Sequence, residues 1–238
     1  MRFREKIIII ILILIIILFG ILIIQHGSLS DNLIHREVIA NNSAEPGTVE
    51  VIRNIGNPDG KRIAYVVGVH PLEHETHETL VKLLPHMNNL NCCYDVYIIN
   101  VTEGIGYYGD GLDNYENPGR QNGQNLAYGY VYPQIVNGNY SLAVDVHSNI
   151  GAYPFKTFVF SPVSDGLGAE YAHEVADKCQ NITYYAPDTT TSGPYLTVPL
   201  NSNGVPAFYF EEYSFATQNV KDSHMIELIN TIDNLGGL

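Results

Sequence analysis

Apolar residues run unbroken from Ile7 to Ile24, and no other stretch of the chain resembles this one. Only Gly20 changes its character. At 1.5 Å per residue it covers roughly 27 Å, about one bilayer hydrocarbon core. Arg2, Arg4 and Lys6 precede it. The positive-inside rule keeps residues 1–6 in the cytoplasm and translocates the chain beyond the span. Phe19 to Gly27 offers no small-x-small cleavage site, so 7–24 reads as an uncleaved anchor. The expected location is the cell membrane, single-pass, with the main domain extracytoplasmic.

Beyond the span the patterns are shorter. Residues 25–46 are polar, lack a clear period and read as a linker. Residues 47–238 alternate strand and helix signals. Val49–Arg53 is a short alternating strand, and Asn57-Pro-Asp-Gly60 is turn chemistry. Ile63–Val69 is a nearly continuous apolar run, as in a strand buried on both faces. His74–Leu84 has a helical apolar face and ends at Pro85. Tyr94–Asn100, Leu142–Val146, Thr157–Phe160 and Pro206–Phe210 are further strands. Leu167–Cys179 and Ser223–Leu235 have helical spacing. Glu103–Tyr132 is rich in Gly, Asn and Tyr and has no period, and a long irregular stretch inside a domain is usually functional. The pattern predicts an α/β fold: a mixed sheet of about six to eight strands flanked by helices, in one domain behind one N-terminal transmembrane helix.

Removing the anchor leaves roughly 210 residues, enough for one domain with a sizeable core. The formal charge of −13 argues against nucleic acid and against anionic lipid headgroups as partners. Cys92, Cys93 and Cys179 make no disulfide framework, although one of the first two could pair with Cys179. Asn-x-Ser/Thr sequons at Asn41, Asn100, Asn139 and Asn181 fit an exported chain.

The candidate chemistry sits where such sheets place ligands, beyond the carboxyl ends of strands. His70-Pro-Leu-Glu73 follows the Ile63–Val69 run, and His147 follows Leu142–Val146. Two imidazoles and one carboxylate can hold Zn²⁺ with a fourth position open, where the metal lowers the pKa of a water to about 7. Glu211 follows Pro206–Phe210. Neighbouring Glu212 competes with it, but side chains alternate on a strand, so only one of the two can face the metal.

These segments resemble the zinc carboxypeptidase superfamily, including its aspartoacylase and succinylglutamate desuccinylase branch. Gly68-Val-His70-Pro-Leu-Glu73 is similar to the superfamily's Gly-x-His-x-x-Glu. Asp145-Val-His147-Ser148 resembles its third-ligand segment, and Gly204-Val-Pro-Ala-Phe-Tyr-Phe-Glu211 the strand ending in its catalytic glutamate. Order and rough spacing agree across about 145 residues. The resemblance implies zinc on His70, Glu73 and His147, Glu211 as general base, and Arg120 as the group that polarises the scissile carbonyl. It implies a peptide or N-acyl amino acid type of substrate. Asn125 matches the asparagine of an Asn-Arg pair that holds a substrate carboxylate, but Leu126 stands in the arginine's place. No arginine follows Arg120. Lys156 or a backbone nest is the candidate replacement. Tyr195 could overhang the site, and Asp145 is expected to tune it.

The implied function is membrane-anchored, extracytoplasmic, zinc-dependent hydrolysis of a peptide or amide bond, with an envelope peptide as the substrate that location suggests. Two alternatives stay open. One is an inactive metal-binding or structural ectodomain of the same fold, which the missing arginine favours. The other is an inverted zincin using His70, Glu73 and His74, with both histidines on one helix face. Pro71 opposes the second, since it sets a strand–helix junction at His70.

Overall fold

The computed structural model describes residues 35–42, 44–104 and 118–238. The expected cytoplasmic end and anchor at 1–24 lie outside them, as does half of the expected linker. Among the described residues no helix is long and apolar enough to cross a membrane.

Among the described residues, eight strands form one mixed sheet: β1 (His35–Asn42), β2 (Gly47–Gly56), β3 (Arg62–Val67), β4 (Cys93–Val101), β5 (Leu142–Asn149), β6 (Phe158–Phe160), β7 (Thr183–Tyr184) and β8 (Ala207–Tyr213). Their order is β1-β2-β4-β3-β5-β8-β6-β7. The central strands β4, β3, β5 and β8 are mutually parallel. Strands β2 and β6 flank them antiparallel. The helices are α1 (His74–Leu83), α2 (Pro118–Leu126), α3 (Tyr132–Val136), α4 (Leu167–Lys178), α5 (Thr197–Ser202) and α6 (Gln218–Ile232).

Alternation along the buried strands sorts side chains into two cores. Ile63, Tyr65 and Val67 of β3 and Leu142, Val144 and Val146 of β5 face Leu80, Val175 and Leu228, from α1, α4 and α6. Ala64, Val66 and Ala143 face the other way, toward Leu126, Ile135 and Leu200, from α2, α3 and α5. A sheet covered on both faces accounts for the continuous apolar runs in β3 and β5.

Two regions depart from the sequence reading. His35–Asn42, expected within the linker, pairs as edge strand β1. Most of its residues remain outside the core, so its pattern carries little alternation. The supposedly irregular stretch is helical from Pro118 onward: α2 runs into a π-helical turn, Ala127–Val131, and then α3. Its glycines lower helix propensity but permit contact. A Cβ on Gly123 would lie 2.1 Å from the Val69 carbonyl oxygen. Gly68 is needed for two reasons: its φ is +88°, and a Cβ there would lie 1.9 Å from the Ile99 carbonyl oxygen. Gly123 lets α2 press onto the segment that turns out of β3, and Gly68 lets that segment lie against β4.

Candidate active site

Neighbouring strands β3, β5 and β8 deliver their functional groups to one edge of the sheet. His70 lies just past β3 in extended conformation, at φ −116° and ψ 114°. Pro71 opens the single 3₁₀ turn that lifts Glu73 back toward it. His147 lies in β5, in register with Glu211 of β8. Asp145 and His147 share one face of β5, and Tyr209 and Glu211 the matching face of β8.

One ligand-type atom from each of His70, Glu73 and His147 lies within 4.8 Å of the others, and all three residues are buried. His70 Nδ1 is 3.0 Å from Glu73 Oε1, and His147 Nδ1 is 2.9 Å from Glu73 Oε2. The Ser148 N–H donates to Glu73 Oε2 at 3.0 Å. Each imidazole meets a second side chain at Nε2. For His70 this is the Gln124 amide at 3.2 Å. For His147 it is Asp145 Oδ1 at 2.9 Å, close enough for an ion pair but at an angle that makes no hydrogen bond. Metal-bound histidines have this character, one nitrogen facing the ion and the other held from behind.

The electrostatics follow from burial and charge. Burial pushes His70 down to about 3. Burial would raise Glu73, but His70 and His147 hold it well below the usual carboxylate range. Burial pulls His147 down, yet Asp145 and Glu73 outweigh it and raise its pKa. Glu211 is pushed up to about 8, by burial first and then by the neighbouring Glu73 and Asp145 charges, against the pull of His147 and Arg120. Its Oε2 is buried without a hydrogen-bond partner among the described residues.

A cavity of about 40 Å³ joins these groups, lined by His70, His147, Glu211 and Arg120, with Tyr153, Phe160 and Tyr209 on one wall and Thr189–Ser192 on another. That volume suits an ion with one or two waters. The donor set, two imidazole nitrogens and a carboxylate oxygen, fits a zinc-type cation with an open position. A water in the cavity would satisfy the orphaned Glu211 oxygen.

Glu212 faces away from the cavity. It is buried on the opposite side of β8, accepting from Thr157 Oγ1 at 3.0 Å and lying 2.8 Å from His224 Nδ1 of α6. Arg120 reaches the cavity from α2. Its Nη2 donates to Thr191 Oγ1 at 2.7 Å, and Nη1 lies 3.6 Å from Glu73 Oε1.

Three expectations need correction. Asn125 does not line the cavity, and its Oδ1 accepts from exposed Gln121. One residue corresponds to 100° of helix rotation, so Gln124 shares a face with Arg120 and Asn125 does not. Leu126 is fully buried in the core and so is no vacant arginine position. Tyr195 sits in a 3₁₀ turn outside the cavity lining, while Tyr153 and Tyr209 are in it. The inverted-zincin geometry is also absent: His70 precedes the helix, and His74 is exposed and outside the cluster. Gln124, Thr191 and Ser192 carried no sequence signal, because their relevance depends on helix phase and loop packing.

The sequence matches no family model and no curated protein. The fold is similar to solved structures. Tripeptide-bound cell shape determinant Csd4 from Helicobacter pylori superposes with a TM-score of 0.55 at 13% identity, covering 78% of this chain and 55% of that one. A metallo-carboxypeptidase from Burkholderia cenocepacia gives 0.54 at 12%, covering 84% and 64%. A Shewanella amazonensis SB2B protein provisionally designated a metallopeptidase gives 0.50 at 11%, covering 91% of each chain. The chain spans about 55% of the length of the Csd4 structure. At these identities the likeness establishes a zinc carboxypeptidase-like fold.

Proposed function

We propose that this chain is a zinc-dependent hydrolase of peptide or amide bonds, held at the membrane by Ile7–Ile24 and acting outside the cytoplasm. The observation that carries the reading is the convergence of His70, Glu73 and His147 within 4.8 Å, beside a cavity lined by His70, His147, Glu211 and Arg120. The fold it shares with a Helicobacter pylori D,L-carboxypeptidase, seen in an mDAP-bound form, agrees with a peptide-type substrate.

His70, Glu73 and His147 would hold the cation. Zinc there supplies Lewis acidity, polarising a carbonyl and acidifying a water. Glu211 takes the proton from the attacking water and passes it to the leaving nitrogen. Arg120, steadied by Thr191, donates to the oxygen on which negative charge develops. Asp145 and Gln124 fix the two imidazoles. Glu212 anchors β8 from behind and takes no part in the proton transfer.

A non-catalytic ectodomain is the second reading, favoured by the absence of any arginine after Arg120. One experiment separates the two. The full-length chain should fractionate with membranes and carry stoichiometric zinc, and it should hydrolyse members of a peptide library. Glu211→Gln should keep the zinc and lose turnover by at least about 10²-fold. Zinc without turnover in the wild type selects the ectodomain reading. A soluble full-length chain removes the anchor, and full activity in Glu211→Gln moves the base elsewhere.

A further inference from the structure

Nine lysines and arginines lie among the described residues, and seven of them have a carboxylate within 3.6 Å. In a chain of net charge −13, pairing is the expected fate of a cation. Lys61 and Lys156 have no ion-pair partner among the described residues. Lys61 immediately precedes β3, at the edge opposite the cavity. Lys156 is at the cavity's own edge.

Lys156 lies two residues ahead of β6. Phe158 of β6 pairs with Glu211 of β8 in antiparallel register. Two residues before the start of β6 and two residues along β8 from Glu211 lie Lys156 and Tyr213. Side chains alternate along a strand, so Tyr213 shares the face of β8 that carries Glu211. The contact is made: Lys156 Nζ lies 4.4 Å from the Tyr213 ring centroid. The ring steadies the ammonium without neutralising it. The surrounding rim is apolar, with exposed Ile150, Phe155 and Phe215.

We infer that Lys156 is a specificity-determining residue that reads a carboxylate on the substrate. Tyr213 lies two residue steps beyond Glu211 on β8, roughly 7 Å at 3.4 Å each. An extended peptide advances at most about 3.6 Å per residue. Lys156 therefore reaches a carboxylate one or two residues from the scissile bond. That group is either the C-terminal carboxylate of a short leaving peptide or an acidic side chain. This inference rests on the hydrolase reading for the position of the scissile bond, but the cation and its placement do not depend on turnover.

The test uses the full-length, zinc-loaded protein and three peptides: acetyl-Ala-Ala-Ala with a free C-terminus, its C-terminal amide, and acetyl-Ala-Ala-Glu amide. Binding is measured on Glu211→Gln protein, and kcat and KM on protein with Glu211 intact, each with and without Lys156→Gln. Lys156→Gln should lower the preference for carboxylate over neutral peptide about tenfold to a hundredfold, the range of a charge-assisted hydrogen bond. The loss should fall on Kd and KM rather than kcat. Lys156→Arg should restore most of the preference, and raised salt should erode it. Whichever carboxylate peptide suffers identifies the source. Equal carboxylate preference with and without Lys156, or no preference in the parent protein, overturns the inference. Lys156-dependent binding without cleavage retains it and rejects the hydrolase reading, and cleavage with no dependence on Lys156 does the reverse.

Discussion

Glu211 keeps its proton at a pH where an exposed carboxylate has lost it. Burial is the main cause, and the resulting value of about 8 has a consequence for stability in the metal-free protein. An unfolded glutamate titrates near 4.3. Between that pH and about 8 the folded chain holds one proton more than the unfolded chain at this residue. Stability must therefore fall as pH rises across the window. Glu211→Gln removes that contribution, so in chelator the wild type should lose more stability between pH 5 and pH 8 than the variant does. Urea unfolding at the two pH values measures it, and parallel losses in both proteins would show that Glu211 ionises normally. The residues most legible in the sequence were those whose chemistry restricts the choice. His70, Glu73, His147 and Glu211 each follow or end a strand, and strand alternation separates Glu211 from Glu212. Gln124 was hidden because choosing it over Asn125 requires the phase of a helix that the sequence did not reveal.

That helix, α2, shows why the elements were only partly legible. Strands β3, β4, β5 and β8 announce themselves because a doubly covered strand must be apolar throughout. Gly119, Gly123 and Gly129 instead give residues 118–131 the composition of a loop. The helix forms because its small residues allow it to sit against Val69 and bring Arg120 and Gln124 to the cavity. Edge strand β1 was hidden for a different reason, since a strand that buries little needs no alternating pattern. The α2 packing can be tested directly. Gly123→Ala places a methyl 2.1 Å from the Val69 carbonyl oxygen, which is backbone and cannot rotate away. We expect a loss of about 1–3 kcal/mol from overpacking. Arg120 and Gln124 move with the helix, so zinc affinity should also drop. An alanine variant with unchanged stability and zinc affinity would show that α2 does not position the site.

At the scale of the molecule, the three proposed metal ligands join two central strands. His70 and Glu73 belong to the β3–α1 connection, and His147 to β5. These segments are far apart in sequence, and their side chains meet through the two imidazole–carboxylate contacts to Glu73. The unfolded chain offers no such preformed site, so the proposed zinc binding would be linked to folding. At a free zinc concentration of 100 Kd the linkage is worth about 2.7 kcal/mol. For a domain of this size each kcal/mol shifts Tm by roughly 2–4 °C, so zinc should raise Tm by about 5–10 °C. His147→Ala deletes the only ligand from β5 while leaving both cores untouched. It should abolish the zinc-dependent rise, whereas Lys156→Gln, on the rim, should retain it. Melting curves with zinc and with chelator measure the effect. A wild-type Tm indifferent to zinc would mean that the His70–Glu73–His147 cluster holds together by its own hydrogen bonds and carries no metal.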